Sequence, residues 1–445
     1  MRFTPRIFLL LVFLLAQIGV AETYDIEHYL SQVQKNSKDL ILAEKDKDMA
    51  KVNKKQALST ALPKVAIQGE YKRNLTEYYM YADFGDFGAS LGMPSGAGPA
   101  KFKVNRNNEY SANIALQQTL FSPSVGSAIK AANQYKKLTD YAYEAGEQAI
   151  LTAAKKMFFQ TLLLEKFWHV SQAAEDNSKE NYDNMKLKFD SGVISEFELL
   201  QSQVRWKNAI PQTAETKRNL ELMLNNLKNW AGISVVESLS LDGKFDDYPA
   251  MPEKMQMESI LQVRPDFKAL TWEQELRNTN VSAKKAAFLP SLTGTVAYAY
   301  SAQSDQFKLE QENGLYFAGV NLSWPIFTGG YRASEIQKAQ IELDKTRVKI
   351  DQTKDNIYNE ISNIYLRLEE AHQRIASAEA TLTVAEKAFT IAEDMTLSGL
   401  ATQLQLKDAR VGFDQAKMNY YAAIFDYLSA YFDWERATGR LVHNS

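Results

Sequence analysis

The stretch WPIFTGGYRASEI, residues 324–336, places the end of a strand pattern beside the longest helix pattern in the chain. Pro325 has no backbone N–H for a strand ladder, so it suits the end of a strand. Gly329 and Gly330 allow the chain to turn before a helix begins. From there to Ser398 the sequence contains neither another glycine nor a proline, which predicts an unbroken helix of about 69 residues, roughly 100 Å long.

Four segments alternate apolar residues with small or polar ones, which is the pattern of a strand with two different faces. They lie at about 64–75, 108–121, 291–300 and 315–325. Strands of this length and alternation are typical of a barrel that faces lipid outward and water inward. A soluble sheet on a helical core would alternate in the same way, but the tyrosine-rich faces, a long loop and an export signal favour the barrel. The predicted lipid-facing aromatic residues are Tyr71, Tyr110, Tyr298, Tyr300, Tyr316 and Trp324.

The chain repeats one plan twice, which is the first feature to seek in a sequence of this length. Ala61-Leu62-Pro63 recurs as Phe288-Leu289-Pro290, a shift of 227 residues. Ser191-Gly192-Val193 recurs as Ser398-Gly399-Leu400, a shift of 207 residues. The difference is extra chain in the first copy, where residues 78–100 are rich in glycine, proline and aromatic residues and suit a long surface loop.

These repeats define the predicted organisation of the chain. The first repeat contains a helix from Asp25 to Leu62 and the second repeat opens with a corresponding helix. The predicted segments are a removed signal peptide at 1–21, a first repeat at 22–232 with a long helix at 123–191 and a helix at 193–232, a linker at 233–255, a second repeat at 256–440 with a long helix at 330–398 and a helix at 400–438, and a tail at 441–445.

The long helix of the second repeat carries apolar residues seven apart, which predicts close packing against another helix, as in coiled coils. The natural partner is the returning helix, where a second row is also spaced by seven. An ordinary structural coiled coil would show the same rows, and the repeated strand pairs argue against that simpler interpretation. The rows are Ile336, Leu343, Ile350, Ile357 and Ile364 in the long helix, and Leu404, Val411, Met418, Phe425 and Phe432 in the returning one.

Composition limits the function. Arg2 and Arg6 precede an apolar run with small residues at its end, which predicts a cleaved export signal; an uncleaved anchor is the alternative. The 445 residues include no cysteine, so disulfides, thiolate metal sites and a cysteine nucleophile are excluded. Without the signal, 49 basic residues face 54 acidic ones, which argues against a nucleic-acid partner. The four histidines are scattered and no catalytic motif occurs, so we expect neither catalysis nor a cofactor or metal.

Four strands cannot close into a barrel, because small barrels need about eight. Several chains must therefore share one barrel, and a dimer or a trimer would supply eight or twelve strands. The shorter helices predicted at Asp25–Leu62 and Leu400–Thr438 are each near 40 residues and together about match one long helix, so the same oligomer could also close a helical tube.

The order of these motifs resembles the outer membrane efflux protein family, also known as the TolC family, over nearly all of the chain after the signal. The resemblance depends on Arg264-Pro265-Asp266, the two Leu-Pro helix ends, Trp324-Pro325-Ile326-Phe327 and the two Ser-Gly turns. It implies a mainly α protein with membrane β-strands. Three chains would form a 12-stranded barrel in the outer membrane, continued by a 12-helix tunnel through the periplasm. Such a homotrimer would be a passive conduit of a tripartite efflux or type I secretion system.

The resemblance also assigns roles to residues near the two turns. It implies partners in a periplasmic adaptor, an inner-membrane transporter of the RND, ABC or MFS type, and outer-membrane lipid. Ala401 replaces the turn arginine of well-known family members, so their charged lock on the closed state is not expected here. The implied adaptor-docking residues are Gly192, Val193, Ser195, Gly399, Leu400 and Thr402, and the implied aperture residues are Asp408, Gln405 and Glu198.

Two other classes remain as alternatives. A periplasmic adaptor carries a helical hairpin of its own, although usually only one within sheet domains. A soluble structural coiled-coil protein would explain the seven-residue spacing alone. Neither alternative accounts for two strand pairs and two hairpins in one chain.

Overall fold

The structure is a computed structural model that describes residues 22–83 and 99–440. The predicted signal peptide, residues 84–98 of the predicted loop and the tail at 441–445 lie outside these residues. The chain divides into two compact units. The unit called here the strand unit comprises Ala50–Lys136 and Glu273–Thr346, and the helical unit comprises the rest.

The strand unit contains a four-stranded sheet in which every neighbouring pair is antiparallel. Its strands lie in the order β2, β5, β7, β8. Their bounds are Lys64–Arg73 for β2, Asn108–Phe121 for β5, Ser291–Ser304 for β7 and Asn313–Ser323 for β8. β2 and β8 are therefore the edges of this sheet.

The strand bounds differ from the predicted ones where local chemistry intervenes. β7 continues to Ser304, four residues past the predicted end, because its partner β5 offers a matching ladder down to Asn108. β8 ends at Ser323, before Trp324 and Pro325, since proline cannot extend the ladder. Gly329 and Gly330 both have positive φ, +60° and +82°, and the long helix begins directly after them.

The extra chain of the first copy is not all loop. Its described ends pair as a short antiparallel hairpin, with β3 at Tyr79–Ala82 and β4 at Ala100–Lys103. The prediction of a surface loop over 78–100 was wrong at these ends, because four-residue strands are too short to show an alternation that could be read from the sequence.

Helices make up most of the described chain. In order they are α1 at Ile26–Asn36, α2 at Lys38–Ser59, α3 at Pro123–Asp190, α4 at Glu196–Ala231, α5 at Met257–Val263, α6 at Pro265–Ala286, α7 at Tyr331–Leu397 and α8 at Gln403–Ala437.

The prediction of one helix from Asp25 to Leu62 was wrong, because the chain breaks at Ser37. Ser37 is extended, with φ −60° and ψ 121°, and separates α1 from α2. The second copy breaks in the same way at Arg264, with φ −63° and ψ 119°, because the residue before Pro265 avoids the helical region. The two breaks are 227 residues apart, so the repeat includes this bend.

The linker contains a short strand and two backbone carbonyls that bind other parts of the helical unit. Its strand β6, Leu239–Leu241, pairs in parallel with β1, Glu22–Tyr24, at the start of the described chain. The Tyr427 hydroxyl donates to the Pro249 carbonyl at 2.9 Å, and the Tyr365 hydroxyl donates to the Glu253 carbonyl at 2.7 Å. Burial raises the pKa of Tyr427 to about 12, so this hydroxyl keeps its proton.

The core of the helical unit includes the last two residues of the predicted α7 row. Ile357 and Ile364 are buried and pack in one cluster with residues of α8. The prediction that a row of α8 packs against these residues was wrong at the start of the row, because Leu404 and Val411 are 61% and 57% exposed. The buried α8 row is instead a set of small residues, also seven apart, which permits a close helix approach: Ala416, Ala423, Ala430 and Ala437.

An ion network around the buried side chain of Arg264 joins the start of α6 to α7. Arg264 has a side chain only 6% exposed and binds Asp266 at 2.6 Å and Glu360 at 2.7 Å. Burial alone would raise the pKa of Asp266, but the Arg264 guanidinium outweighs it and lowers that pKa. Glu360 also binds Arg436 of α8 at 2.7 Å. Arg264 itself donates to the Ala437 carbonyl of α8 at 3.4 Å, so this one arginine contacts three helices.

We predict that Arg264→Met lowers the free energy of unfolding by about 2–3 kcal/mol, because the partly exposed carboxylates of Asp266 and Glu360 lose their buried charged partner. Thermal unfolding followed by circular dichroism in detergent measures the change. The control is Arg218→Met, whose partner Glu215 lies at 3.8 Å on the surface with both side chains more than half exposed. Its effect is expected to stay within about 0.5 kcal/mol, and equal losses for the two variants would contradict the assigned role.

Candidate functional site

Two hairpin turns, Ser191–Ser195 between α3 and α4 and Ser398–Thr402 between α7 and α8, share one geometry. Gly192 and Gly399 have φ of +74° and +75°, a conformation that glycine adopts without steric cost. Val193 N–H donates to the Lys188 carbonyl at 2.9 Å, and Leu400 N–H donates to the Met395 carbonyl at 2.7 Å. These bonds close the end of each long helix in the Schellman arrangement.

Each turn then starts the next helix with a reciprocal pair of cap hydrogen bonds. Glu198 N–H donates to Ser195 Oγ at 3.3 Å, and Ser195 N–H donates to the Glu198 carboxylate at 3.0 Å. Thr402 and Gln405 make the same pair at 3.3 and 2.8 Å. The predicted aperture residues Glu198 and Gln405 thus have side chains folded back onto their own turns, where such caps stabilise a helix by about 1 kcal/mol.

Asp408, the third predicted aperture residue, lies one helical turn beyond Gln405. Its side chain is exposed. Within residues 22–83 and 99–440, its carboxylate has neither an ion pair nor a hydrogen bond. Of the two charged residues in the predicted aperture set, Asp408 is therefore the one whose carboxylate takes no part in a helix cap.

The apolar residues around the turns are exposed in matching pairs. Val193 and Leu400 are 70% and 74% exposed. One turn into the following helices the exposed pair is Phe197 and Leu404, and seven residues later it is Val204 and Val411. We call these six residues the tip stripe. Sequence reasoning assigned Leu404 and Val411 to internal packing and missed Phe197 and Val204, although all of them repeat with the shift of 207.

A polar contact joins the two hairpins next to the second turn. Arg205 of α4 donates to the Gln403 carbonyl at 2.9 Å, and Asn181 of α3 donates to the Gln403 side chain at 2.9 Å. The start of α8 is thereby held against the first hairpin within the helical unit.

In the strand unit, the register places the predicted aromatic residues on one face of the sheet. Tyr71 pairs directly with Tyr110, and their rings lie 5.2 Å apart. Tyr298 pairs with Tyr316 at 4.5 Å, and Tyr300 lies two residues from Tyr298 on the same face. Trp324 follows the end of β8 and donates its indole N–H to the Phe288 carbonyl at 3.1 Å.

The opposite face of the sheet carries mostly small or polar side chains. Its neighbours across the strands include Asn113 beside Ala299, and Gln117 beside Thr295. One face is therefore apolar and aromatic while the other is wettable, which is the division that a membrane barrel requires.

A metal-binding cluster and a membrane-spanning helix are not found among the described residues. Residues 22–83 and 99–440 hold no group of three or more histidine, aspartate or glutamate side chains placed to bind a metal ion. Among the helices of these residues, none has an apolar stretch sufficient to cross a membrane.

We predict that Gly399→Ala destabilises the second turn by about 1–2 kcal/mol, because alanine is strained at positive φ. Amide hydrogen exchange of residues 395–402 should then become roughly 5- to 30-fold faster. The control is Gly412→Ala inside α8, where no atom lies within 4 Å of the added carbon and φ is ordinary. Exchange at the turn should not change in that variant, and a similar acceleration in both would contradict the role of the turn geometry.

Comparison with known proteins agrees with this arrangement. A sequence model of the family described as "Outer membrane efflux protein" matches residues 29–232 and 257–440. The alkaline protease secretion protein AprF of Pseudomonas aeruginosa is 21% identical over 243 residues, which cover 54% of this chain and 50% of that protein. The outer membrane protein TolC of Vibrio cholerae is 21% identical over 258 residues, which cover 54% of this chain and 58% of that protein. The chain spans about half the length of the curated relatives it matches.

Solved structures show the same fold over most of the chain. The outer membrane channel CmeC of Campylobacter jejuni superposes with a TM-score of 0.75 at 19% identity, covering 93% of this chain and 85% of that chain. The open state of the MtrE channel of Neisseria gonorrhoeae gives a TM-score of 0.74 at 17% identity, covering 93% of this chain and 88% of that chain. At these identities the likeness shows the fold.

Proposed function

The chain belongs to the outer membrane efflux protein family, and we propose that it is the outer-membrane channel of a tripartite efflux or type I secretion system. In this role it is a passive conduit from the periplasm to the exterior and carries out no catalysis. The observation that carries the proposal is a four-stranded sheet with two open edges and two unlike faces, in a chain that also forms two long helical hairpins.

The open edges support a barrel shared by several chains. Every residue of β2 and β8 is exposed in the single chain, and along both edges the outer backbone groups face no strand of the described sheet. Because each neighbouring pair is antiparallel, β8 of one copy runs antiparallel to β2 of the next. Copies can therefore join edge to edge without changing the pattern, and three copies give twelve strands, the number that the family resemblance implies.

The helices support a shared tunnel below such a barrel. α2 exposes large apolar side chains along its length, including Leu42, Met49 and Val52, each more than half exposed. A helix with such a surface requires another helix to cover it. Three chains with four helical columns each would supply that cover and form the 12-helix tunnel.

The proposal predicts opposite labelling of neighbouring residues on β8, because the natural chain has no cysteine to interfere. Val320 shares its face with Tyr316, and Asn321 lies on the other face. In intact outer membranes, Asn321→Cys should react with a membrane-impermeant maleimide, while Val320→Cys should be protected by lipid. A small lipid-soluble maleimide should label both and serves as the control for reactivity.

Equal, rapid labelling of the two cysteines by the impermeant reagent would contradict a barrel. It would return the chain to one of the alternatives, a periplasmic adaptor or a soluble coiled-coil protein, in which both faces of an exposed strand meet water.

We assign adaptor docking to the hairpin turns and the tip stripe. Gly192 and Gly399 shape the turns, and Ser195 and Thr402 begin the next helices. In each hairpin the three exposed apolar residues of the stripe are spaced by four and then seven residues, a spacing that a coiled-coil partner fits. A periplasmic adaptor with a helical hairpin has the required surface and would link this chain to an inner-membrane transporter.

The docking proposal predicts that Leu404→Asp abolishes export, because a charge in the stripe must be desolvated when the partner binds. Export is measured as survival of a deletion strain against a panel of toxic compounds and as the yield of secreted protein. Leu404→Met keeps the apolar contact and is the matched control, expected to retain full export. Normal export by Leu404→Asp at equal outer-membrane levels would exclude this stripe from docking.

We further propose that Asp408 of three chains forms an anionic ring at the periplasmic aperture. Gln405 supports the ring indirectly, by capping the helix that carries Asp408, and Glu198 caps the corresponding helix of the first hairpin. The ring predicts block of the channel by divalent cations, since three carboxylates at one opening attract them strongly.

The expected result is that Asp408→Asn raises, by about tenfold or more, the divalent concentration that halves single-channel conductance, a loss of roughly 1.4 kcal/mol or more in binding. Asp351→Asn, on an exposed part of α7 far along the chain from the turn, is the charge-matched control and should leave the block unchanged. Unchanged block in Asp408→Asn would reject the ring.

A further inference from the structure

Two large apolar side chains, Leu315 and Phe317, lie on the wettable face of the sheet, opposite the predicted aromatic residues. Side chains of one strand alternate between its faces, so in β8 these two share a face with Asn321 and oppose Tyr316. Leu315 is 62% exposed and Phe317 is 45% exposed in the single chain. The face that the proposed channel turns to water therefore carries an apolar patch, a surface that contact with water disfavours.

The strand register extends this patch across all four strands, because residues paired directly across two strands point to the same face. Ala66 of β2 pairs with Ala115 of β5, and Ala115 pairs with Ala297 of β7. Ala297 pairs in turn with Phe317. One level of the sheet thus carries three alanines and a phenylalanine on its wettable face.

The next level toward the strand loops is apolar only in the second repeat, where Ala299 pairs with Leu315. In the first repeat the same level carries Gln68 and Asn113. The apolar surface is therefore broadest on β7 and β8. We call the six apolar residues of these two levels the inner band: Ala66, Ala115, Ala297, Ala299, Leu315 and Phe317.

Levels that lack large apolar side chains bound the inner band on both sides. Toward the helices the adjoining level consists of Lys64, Gln117, Thr295 and Gly319. Toward the loops the adjoining level consists of Glu70, Ser111, Ser301 and Asn313. The charges of these levels come from β2, since β7 and β8 contain no charged residue. The band is thus a separate apolar zone, centred on the uncharged half of the wettable face.

The side chain of Phe317 can be reached from the interior of the proposed barrel. Gly319, two residues further along the same face, has no side chain, and a carbon added there would meet no atom within 4 Å. In the proposed assembly β8 borders β2 of the next copy, which lies beside Phe317 in the wall and leaves its inner side uncovered. A molecule in the interior can therefore contact Phe317 without displacing any part of the chain.

A barrel of three chains is too wide for the three Phe317 side chains to close it. Twelve strands about 4.8 Å apart and tilted by about 40° give a backbone circle roughly 24 Å across. Three phenylalanine side chains do not meet across this width. The inner band therefore lines the conduit and leaves it open, so that a passing compound contacts the band of one chain at a time.

We propose that the inner band is a contact site for the apolar part of amphiphilic compounds that pass through the channel, with Phe317 as its principal contact. The inference rests on the barrel and the conduit given under Proposed function, and it adds a residue that distinguishes one class of transported compound from another.

The physical reason for this selection is the burial of apolar surface. A compound with an aromatic or alkyl body removes part of that body and part of the Phe317 ring from water when it touches the band. A compound without such a body gains nothing there. Because the bounding levels offer no large apolar side chain, the contact is confined to one depth of the barrel, where amphiphiles stay longer than polar compounds of the same charge.

The test is single-channel recording of the purified oligomer in a planar lipid bilayer. The probe is tetraphenylphosphonium, added on the side of the strand loops so that it reaches the band before the helical tunnel. Each bound probe should lower the current for a time that measures its stay. Phe317→Ser should shorten this time roughly tenfold, because the probe loses its aromatic contact, a difference of about 1.4 kcal/mol.

A second probe and two further variants serve as controls. Tetramethylammonium has the same charge and little apolar surface, so its effect on the current should be the same in Phe317→Ser and in the natural protein. Phe317→Leu keeps an apolar side chain and should shorten the stay of tetraphenylphosphonium less than Phe317→Ser does. Asn321→Ser alters the same face of β8 two levels away and should leave that stay unchanged.

The outcomes separate the inner band from the channel itself. A conducting channel in which tetraphenylphosphonium stays equally long in Phe317→Ser and in the natural protein would overturn the band and leave the channel proposal intact. Loss of the oligomer in both Phe317→Ser and Phe317→Leu would show that the ring packs inside the assembly, which would also overturn the band. A natural protein that conducts no current would contradict the channel proposal, and the band with it.

Discussion

The unpaired backbone along β2 and β8 is the constraint on which the proposed assembly depends. A sheet edge that meets lipid leaves N–H and C=O groups without partners, and each costs several kcal/mol there. Four strands cannot close on themselves, so in the proposed assembly the edges pair with other copies of the chain. The antiparallel order makes the two edges mutually compatible. The number of chains in the tunnel then follows from the number that closes the barrel.

The two helical hairpins have the same turn and cap structure. Both long helices end in a glycine turn with the same backbone bonds, and both following helices begin with a reciprocal cap. The bends at Ser37 and Arg264 and the three pairs of the tip stripe also recur. The two copies differ in charge at the cap, Glu198 against Gln405, so a partner that approaches both turns meets similar shapes with different electrostatics.

Much of the fold could be predicted from the sequence, because strong local signals determine it. Alternation located the strands, and glycine and proline located the ends of the long helices. The bend at Ser37 could not be predicted, since serine carries no obligatory break. The pairing of β1 with β6 could not be predicted either, because it involves strands of only three residues. Seven-residue spacing located Leu404 and Val411 on one face of α8 but could not say what covers that face. The caps at Ser195 and Thr402 follow the capping-box sequences Ser-x-x-Glu and Thr-x-x-Gln, a local signal that is present in the sequence.

The central claim is that identical chains close one barrel through their open edges, and the native mass of the detergent-extracted protein tests it most directly. The account predicts a complex of three chains that carries a belt of bound detergent. A monomer or dimer that stays in solution without detergent would contradict the account and would return the helical rows to a soluble coiled coil.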